Sequence, residues 1–348
     1  MKNILFLFVL TGLLVSCNEE ESSNADIVDF SVTNLSNDAL VLTDIEINSV
    51  LNKVFIFFDN DFSQQTFPLK INVDIKLSSG AKTHSITNGE LNFTSADEVK
   101  HFMVEAEDGT IKDWYIFLIH KQIQNSDFES WFTNVGMNGK EYKEIGSSIV
   151  ESLWATANMG TSMYTKYGTQ PVYDEEETLV QIKTESNSQI PITAGTLFTG
   201  RFNISGAIAN PTDPKKATNF GIPFRHKPKA MQINFKYHAG ENYIQATLNN
   251  PDNIFGGFTV TEIDGEDQCS VYAILENRDG NETIEIARAE MQTSTTDDIL
   301  STTEISFDYK TDDSPTHITI VFTSSKSGDL WRGAVGSTLI VDKLEMIY

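Results

Sequence analysis

The sequence predicts an all-β chain built as two successive β-sandwiches. Three observations predict it. Apolar and polar residues alternate with period two in short runs, turn dipeptides such as Ser79-Gly80 and Asn88-Gly89 separate those runs, and no long amphipathic helical period appears. A chain of 348 residues suits two domains and is ample for a real core.

In chain order, Lys2 precedes an apolar run, Ile4 to Val15, too short to span a bilayer as a helix and shaped like a secretory h-region. It ends in Leu14-Val15-Ser16-Cys17, which resembles the bacterial lipobox, where cleavage leaves the cysteine as a diacylated first residue. Residues 1–17 are therefore expected to be a lipoprotein signal peptide with Cys17 lipidated, and 18–25 an acidic, polar tether. Asn18-Glu19-Glu20-Glu21 resembles the surface-export signal of lipoproteins in Gram-negative glycan foragers, although a solvated linker has the same composition. The expected location is the outer membrane, lipid-anchored and surface-exposed. The other cysteine, Cys269, lies in an alternating strand and reads as a buried small hydrophobe. With 25 Lys and Arg against 49 Asp and Glu, the formal charge of −24 disfavours nucleic acid and anionic lipid as partners.

From 26 to 121 the runs Ile27 to Val32, Val54 to Phe58 and Leu69 to Leu77 read as antiparallel strands of a small sandwich. Phe102 to Thr110 supplies a strand and an Ala-Glu-Asp-Gly turn, and Trp114 to Ile119 a final strand. This segment resembles the immunoglobulin-like modules that follow the lipid anchor in surface glycan-binding lipoproteins, which act mostly as spacers. A boundary is expected at 122–125.

The second domain, 125–348, opens with Asn125-Ser126-Asp127-Phe128-Glu129-Ser130-Trp131. That heptapeptide resembles the first strand of jelly-roll carbohydrate-binding modules, in which the Phe enters the core and acidic neighbours help hold structural calcium. Asp127 and Glu129 would share one face of a strand, and calcium favours such oxygen ligands. Pairing of the first and last strands would add Asp342 to an oxygen cage. Solvated edge charges and a salt link to a Lys explain the same residues. No cofactor is otherwise required.

Several separated motifs occur in order: Phe128 to Trp131, Leu153 to Gly160, Pro171-Val172, Ala194 to Gly200, Asn219 to Phe224 and Gly333 to Leu339. Together they are similar to the family called the putative carbohydrate metabolism domain, from about Asn125 to Tyr348. The resemblance implies a jelly-roll β-sandwich in surface lipoproteins linked to polysaccharide use, sometimes labelled glycoside hydrolases. It implies no catalytic residues.

A sugar site needs flat rings for pyranose C–H faces and planar polar groups for hydroxyls. The loop-rich stretch from Trp154 to Tyr173 has that composition, with Trp154, Asn158, Tyr164 and Tyr167 as one candidate wall. Phe220 and Arg225 come from the long loop-bearing segment Ala194 to Pro228, and Trp331 offers a third side. Core packing is the plain alternative for each. The acids fall mostly in polar, turn-like clusters, and neither a Gly-x-Ser-x-Gly elbow nor His-Glu-x-x-His is present. The reading is a non-catalytic, surface-anchored glycan-binding protein of a polysaccharide-utilisation system, with an importer or hydrolases as partners. A jelly-roll glycoside hydrolase or lyase, and a structural or adhesion subunit, are the alternatives.

Overall fold

The computed structural model describes residues 21–83, 89–174, 177–210, 212–280 and 282–348. Cys17, the signal segment and the start of the tether lie outside the described residues. The rest is two β-sandwiches in sequence. The first is immunoglobulin-like: strands Ile27–Leu35, Leu69–Leu77 and Glu90–Phe93 form one sheet. Its partner sheet runs Leu42–Asn48, Lys53–Phe58, Ile111–Ile119, Lys100–Glu105, Lys82–Thr83, with Lys53–Phe58 parallel to Ile111–Ile119.

Lys53–Phe58 reads Lys-Val-Phe-Ile-Phe-Phe and is buried at every position. Side chains alternate between faces, so such a strand must be covered on both. Val54, Ile56 and Phe58, with Ile116 and Leu118, enter the core of the first sandwich. Phe55, Phe57, Phe117 and Ile119 turn the other way and join one continuous core with Trp154, Phe224 and Leu344 of the second sandwich. The five-stranded sheet is thus a wall shared by two cores.

Polar groups pin this joint. Arg225 pairs with Glu46 at 2.6 Å and lies 4.5 Å from the Phe57 ring centroid. The linking Gln122 exchanges two hydrogen bonds with the last strand: its amide nitrogen donates to the Met346 carbonyl at 3.0 Å and its amide oxygen accepts from the Met346 N–H at 2.7 Å. His120 stacks on Phe62 at 4.7 Å, and His226 lies edge-on to Phe224 and Tyr348.

The second sandwich is the larger jelly roll. One sheet runs Trp154–Thr156, Thr196–Phe202, His317–Thr323, Cys269–Asp279, Glu282–Thr293, Asp308–Tyr309, with Thr218–Phe220 and Ile222–Pro223 attached. The other runs Thr169–Asp174, Glu177–Lys183, Thr338–Ile347, Ala230–His238, Ser301–Ser306. A small third sheet, Phe258–Glu262, Tyr243–Leu248, Arg332–Ala334, sits at one end. Asp267, 1% exposed, ties it down by accepting from Ala334 N–H at 2.8 Å, the Ser337 hydroxyl at 2.7 Å and Gln268 N–H at 2.9 Å. A buried carboxylate is tolerable only when its oxygens are filled in this way.

Two expectations need correction. The stretch after Phe202 is not a bare loop: it carries a short helix, Ile204–Ala209, and a 3-10 turn, Pro214–Ala217, capped by Asn203 and Asp213. The first strand of the jelly roll, Trp131–Val135, pairs with Glu141–Ile145 and not with the last strand, which meets the opening through Leu344 N–H to Ser126 C=O at 2.8 Å.

The joint has a signed pH dependence. Burial is the main cause that pushes His120 and His226 down to about 4, with Asp61 and Asp59 respectively pulling back. A folded value below the unfolded one near 6.5 means that stability is fully present above pH 6.5 and is lost as pH falls toward 4. Replacing His226→Phe, which keeps the ring contacts, is expected to remove on the order of 2 kcal/mol of that acid loss, read as the parent-minus-variant difference in urea unfolding at pH 7 and pH 4.5.

Candidate functional site

Residues directly opposite each other in an antiparallel pair point to the same side, so register assembles the outer face of the larger jelly-roll sheet. One row reads Phe198, Val321, Tyr272, Glu290. The next reads Thr319, Ile274, Arg288, Asp308, and a third Pro223, His317, Glu276, Glu285. Thr196, Thr323, Ser270 and Gln292 close the other end. The alternate positions Cys269, Val271, Ala273 and Leu275 are fully buried, which sets the direction in which Tyr272 points.

The turn Pro214–Ala217 and the strand Thr218–Phe220 cover one flank of this face. Phe220 meets Phe198 edge-on at 5.1 Å, and Ala155, Val321 and Tyr272 join them in a small apolar cluster. Lys215 of the same segment pairs with Asp329 at 2.8 Å. Gly221, with φ +91°, makes the close approach possible: a Cβ there would stand 2.4 Å from Arg278 Nη2. Past that flank Tyr272, Ile274, Arg278 and Arg288 are half-buried and open to solvent.

Every guanidinium on the face is paired. Arg278 Nε donates to Glu276 Oε2 at 3.0 Å, and the Thr319 hydroxyl reaches the same oxygen at 3.4 Å. Arg288 pairs with Glu285 at 3.0 Å and Glu290 at 3.4 Å, and its Cζ lies 5.7 Å from the Tyr272 ring centroid. Burial raises the Tyr272 phenol; Arg288 opposes that rise, and Asp329, Glu290 and Glu276 add to it. The phenol stays a hydrogen-bond donor at neutral pH. Arg288 is the main cause holding Glu285 below the usual carboxylate range, with Lys310 assisting. A half-buried ring beside planar, fixed polar groups can hold the C–H face of a pyranose while bonding its hydroxyls.

The residues expected from the sequence scatter. Phe220 belongs to this face. Trp154 is in the core, donating from Nε1 to the Gln124 carbonyl at 2.8 Å, and Asn158, 1% exposed, bridges the Thr169 backbone at 2.6 and 3.1 Å. Neither is free for a ligand, because each satisfies buried backbone groups. Arg225 is spent at the joint. Tyr164 donates to Gln189 at 2.8 Å and Tyr167 stacks on Tyr142 at 5.0 Å, on a separate patch. The recess near them, lined by Asn158, Lys166, Glu185 and Gly195, has room for about one water molecule. Trp331, in a left-handed backbone conformation, meets Phe258 edge-on at 5.3 Å on the small sheet.

The calcium cage is not assembled. Asp127 accepts from Glu129 N–H at 3.4 Å, Glu129 from Thr178 N–H at 3.0 Å, and Asp342 from the Asn234 amide at 3.1 Å. Among the described residues no group of three or more His, Cys, Asp or Glu is gathered for a metal. Tyr272, Arg278 and Arg288 were missed by sequence reasoning. The available signal was alternation itself: in Cys269 to Arg278 the even positions read Ser, Tyr, Ile, Glu, Arg, an amphipathic outer face.

The Glu144 carboxyl has the perturbed character of an acid catalyst but the wrong place. Burial, opposed by the Thr156 hydroxyl and backbone N–H donors, pushes Glu144 up to about 7. It lies in the interior beside Thr156, and its Oε1 has no hydrogen-bond partner. A raised folded value makes its contribution greatest below the unfolded value near 4.5 and lost as pH rises through 7. Glu144→Gln is therefore expected to exceed the parent in stability at pH 8 by on the order of 2 kcal/mol and to match it near pH 4.5, measured by urea unfolding at both pH values.

A structure described as a putative glycoside hydrolase from Bacteroides thetaiotaomicron matches with a TM-score of 0.54 at 24% identity, covering 95% of this chain and 98% of that one. Another so described, from Bacteroides vulgatus, matches at 0.51 and 23% identity over 64% of this chain and 96% of its own. These likenesses support the fold. No curated protein matches. The model of the putative carbohydrate metabolism domain matches residues 127–347, well over half of the sequence, and the chain belongs to that family.

Proposed function

We propose that the chain is a glycan-binding protein that holds a polysaccharide non-catalytically on the outer face centred on Tyr272. The observation that carries this reading is the register-built surface in which that half-buried ring lies among Arg278, Arg288, Glu276 and Glu290. Family membership in a carbohydrate-related domain agrees with it. The open, shallow form suits a chain laid across strands more than a small molecule swallowed whole.

Glycoside hydrolysis is the second reading, and the descriptions borne by the two Bacteroides structures favour it. It needs one carboxyl held protonated near its bond. On this face Glu276, Glu285 and Glu290 are each ion-paired to arginine, and Glu285 is held below the usual carboxylate range by Arg288. That supports binding over cleavage. In the same proposal Cys17 carries lipid, the first sandwich holds the binding face at a fixed angle from the outer membrane, and an importer or hydrolase receives the glycan.

Tyr272→Ala is expected to weaken retention on polysaccharide affinity gels by about five- to thirtyfold, as loss of a stacking ring costs ~1–2 kcal/mol. The parent is expected to release no reducing ends from the retained glycan. Release abolished by Glu276→Gln or Glu290→Gln would replace binding with hydrolysis. For the anchor, Cys17→Ser is expected to move the chain from the membrane pellet to the soluble fraction, and unchanged pelleting would remove the lipid from the account.

A further inference from the structure

The charges on the Tyr272 face cancel locally, within a chain of net charge −24. Arg278 is taken by Glu276, Arg288 by Glu285 and Glu290, Lys310 by Glu285 at 2.7 Å, and Lys215 by Asp329 at 2.8 Å. His317, pushed down to about 4 by burial and by Arg278 and Arg225, is neutral at pH 7. Lys326 lies against the Gln292 amide oxygen at 3.2 Å, and Asp308 stands across from Arg288. An anionic chain would meet no unpaired guanidinium here, and it would approach through the repulsive field of an acidic protein.

We propose that this face selects uncharged glycans and rejects uronic-acid and sulfated ones, an inference that rests on the glycan-binding reading of the same site. The ion pairs serve as fixed planar donors and acceptors for hydroxyls. Their mutual neutralisation is the discriminating device: a hydroxyl shares a guanidinium with its carboxylate, whereas a glycan carboxylate or sulfate must displace that carboxylate, leaving it unpaired.

The test uses the purified full-length chain on affinity gels containing neutral polysaccharides (β-glucan, galactomannan, arabinan) or anionic ones (polygalacturonate, dextran sulfate), at about 20 mM and about 500 mM NaCl. The expected result is retention by one or more neutral gels, changing less than about twofold with salt and lost in Tyr272→Ala, with no retention by the anionic gels. Glu276→Gln, which leaves Arg278 charged and unpaired, is expected to acquire retention by polygalacturonate at low salt that disappears at high salt. Salt-sensitive, Tyr272-dependent retention of polygalacturonate or dextran sulfate by the parent would overturn the selectivity while leaving glycan binding in place. Retention by neither class, or neutral retention unchanged in Tyr272→Ala, would overturn both.

Discussion

A strand with apolar side chains on both faces cannot stop at one sandwich. Lys53–Phe58 fills the first core with Val54, Ile56 and Phe58, and Phe55 and Phe57 would face water if the jelly roll did not cover them. At ~25 cal/mol per Å2 of apolar surface, exposing two phenylalanines costs several kcal/mol, enough to hold the sandwiches together as one body. Arg225, His226, Gln122 and Tyr348 then fix the angle by directional contacts around that apolar patch. Lys53 follows its strand into the joint, where burial, with Arg201 adding to it, pushes its amine down to about 6, and its Nζ lies 4.1 Å from the Phe117 ring centroid.

The same logic places the functional face. The inner side of Cys269–Asp279 carries the small and aliphatic residues Cys269, Val271, Ala273 and Leu275 that close the core, which leaves Tyr272, Ile274 and Glu276 on its outer side only partly covered. The strand Thr218–Phe220 covers the Phe198 end, and Tyr272 is half-buried beside it. Such a ring loses little freedom on binding because the sheet and the Arg288 guanidinium already hold it. The carboxylates around it are ion-paired to arginine, and Glu144, pushed up to about 7, is sealed inside.

Much of the fold was legible in the sequence because period-two alternation and turn residues are local properties. Phe128 entered the core as its motif implied. The site was less legible, since a ligand face is a product of register between strands distant in sequence: Tyr272, Glu290 and Val321 become neighbours only through pairing. Aromatic density misled at Trp154 and Asn158, where side chains that look suited to sugar satisfy backbone groups of the interior. Arg225 misled for a related reason, as its partners Glu46 and Asp44 belong to the other sandwich. The signal for the joint was present in Val54-Phe55-Ile56-Phe57-Phe58, an unbroken apolar run where a half-exposed strand would alternate.

The most direct measurement is a crystal structure of the chain with an oligosaccharide cut from whichever polysaccharide it retains. The account predicts a sugar ring lying against Tyr272, with hydroxyls within hydrogen-bond reach of the Arg278–Glu276 and Arg288–Glu290 pairs. A sugar bound instead at Tyr164 and Tyr167, or on the Phe258 and Trp331 side of the small sheet, would contradict it.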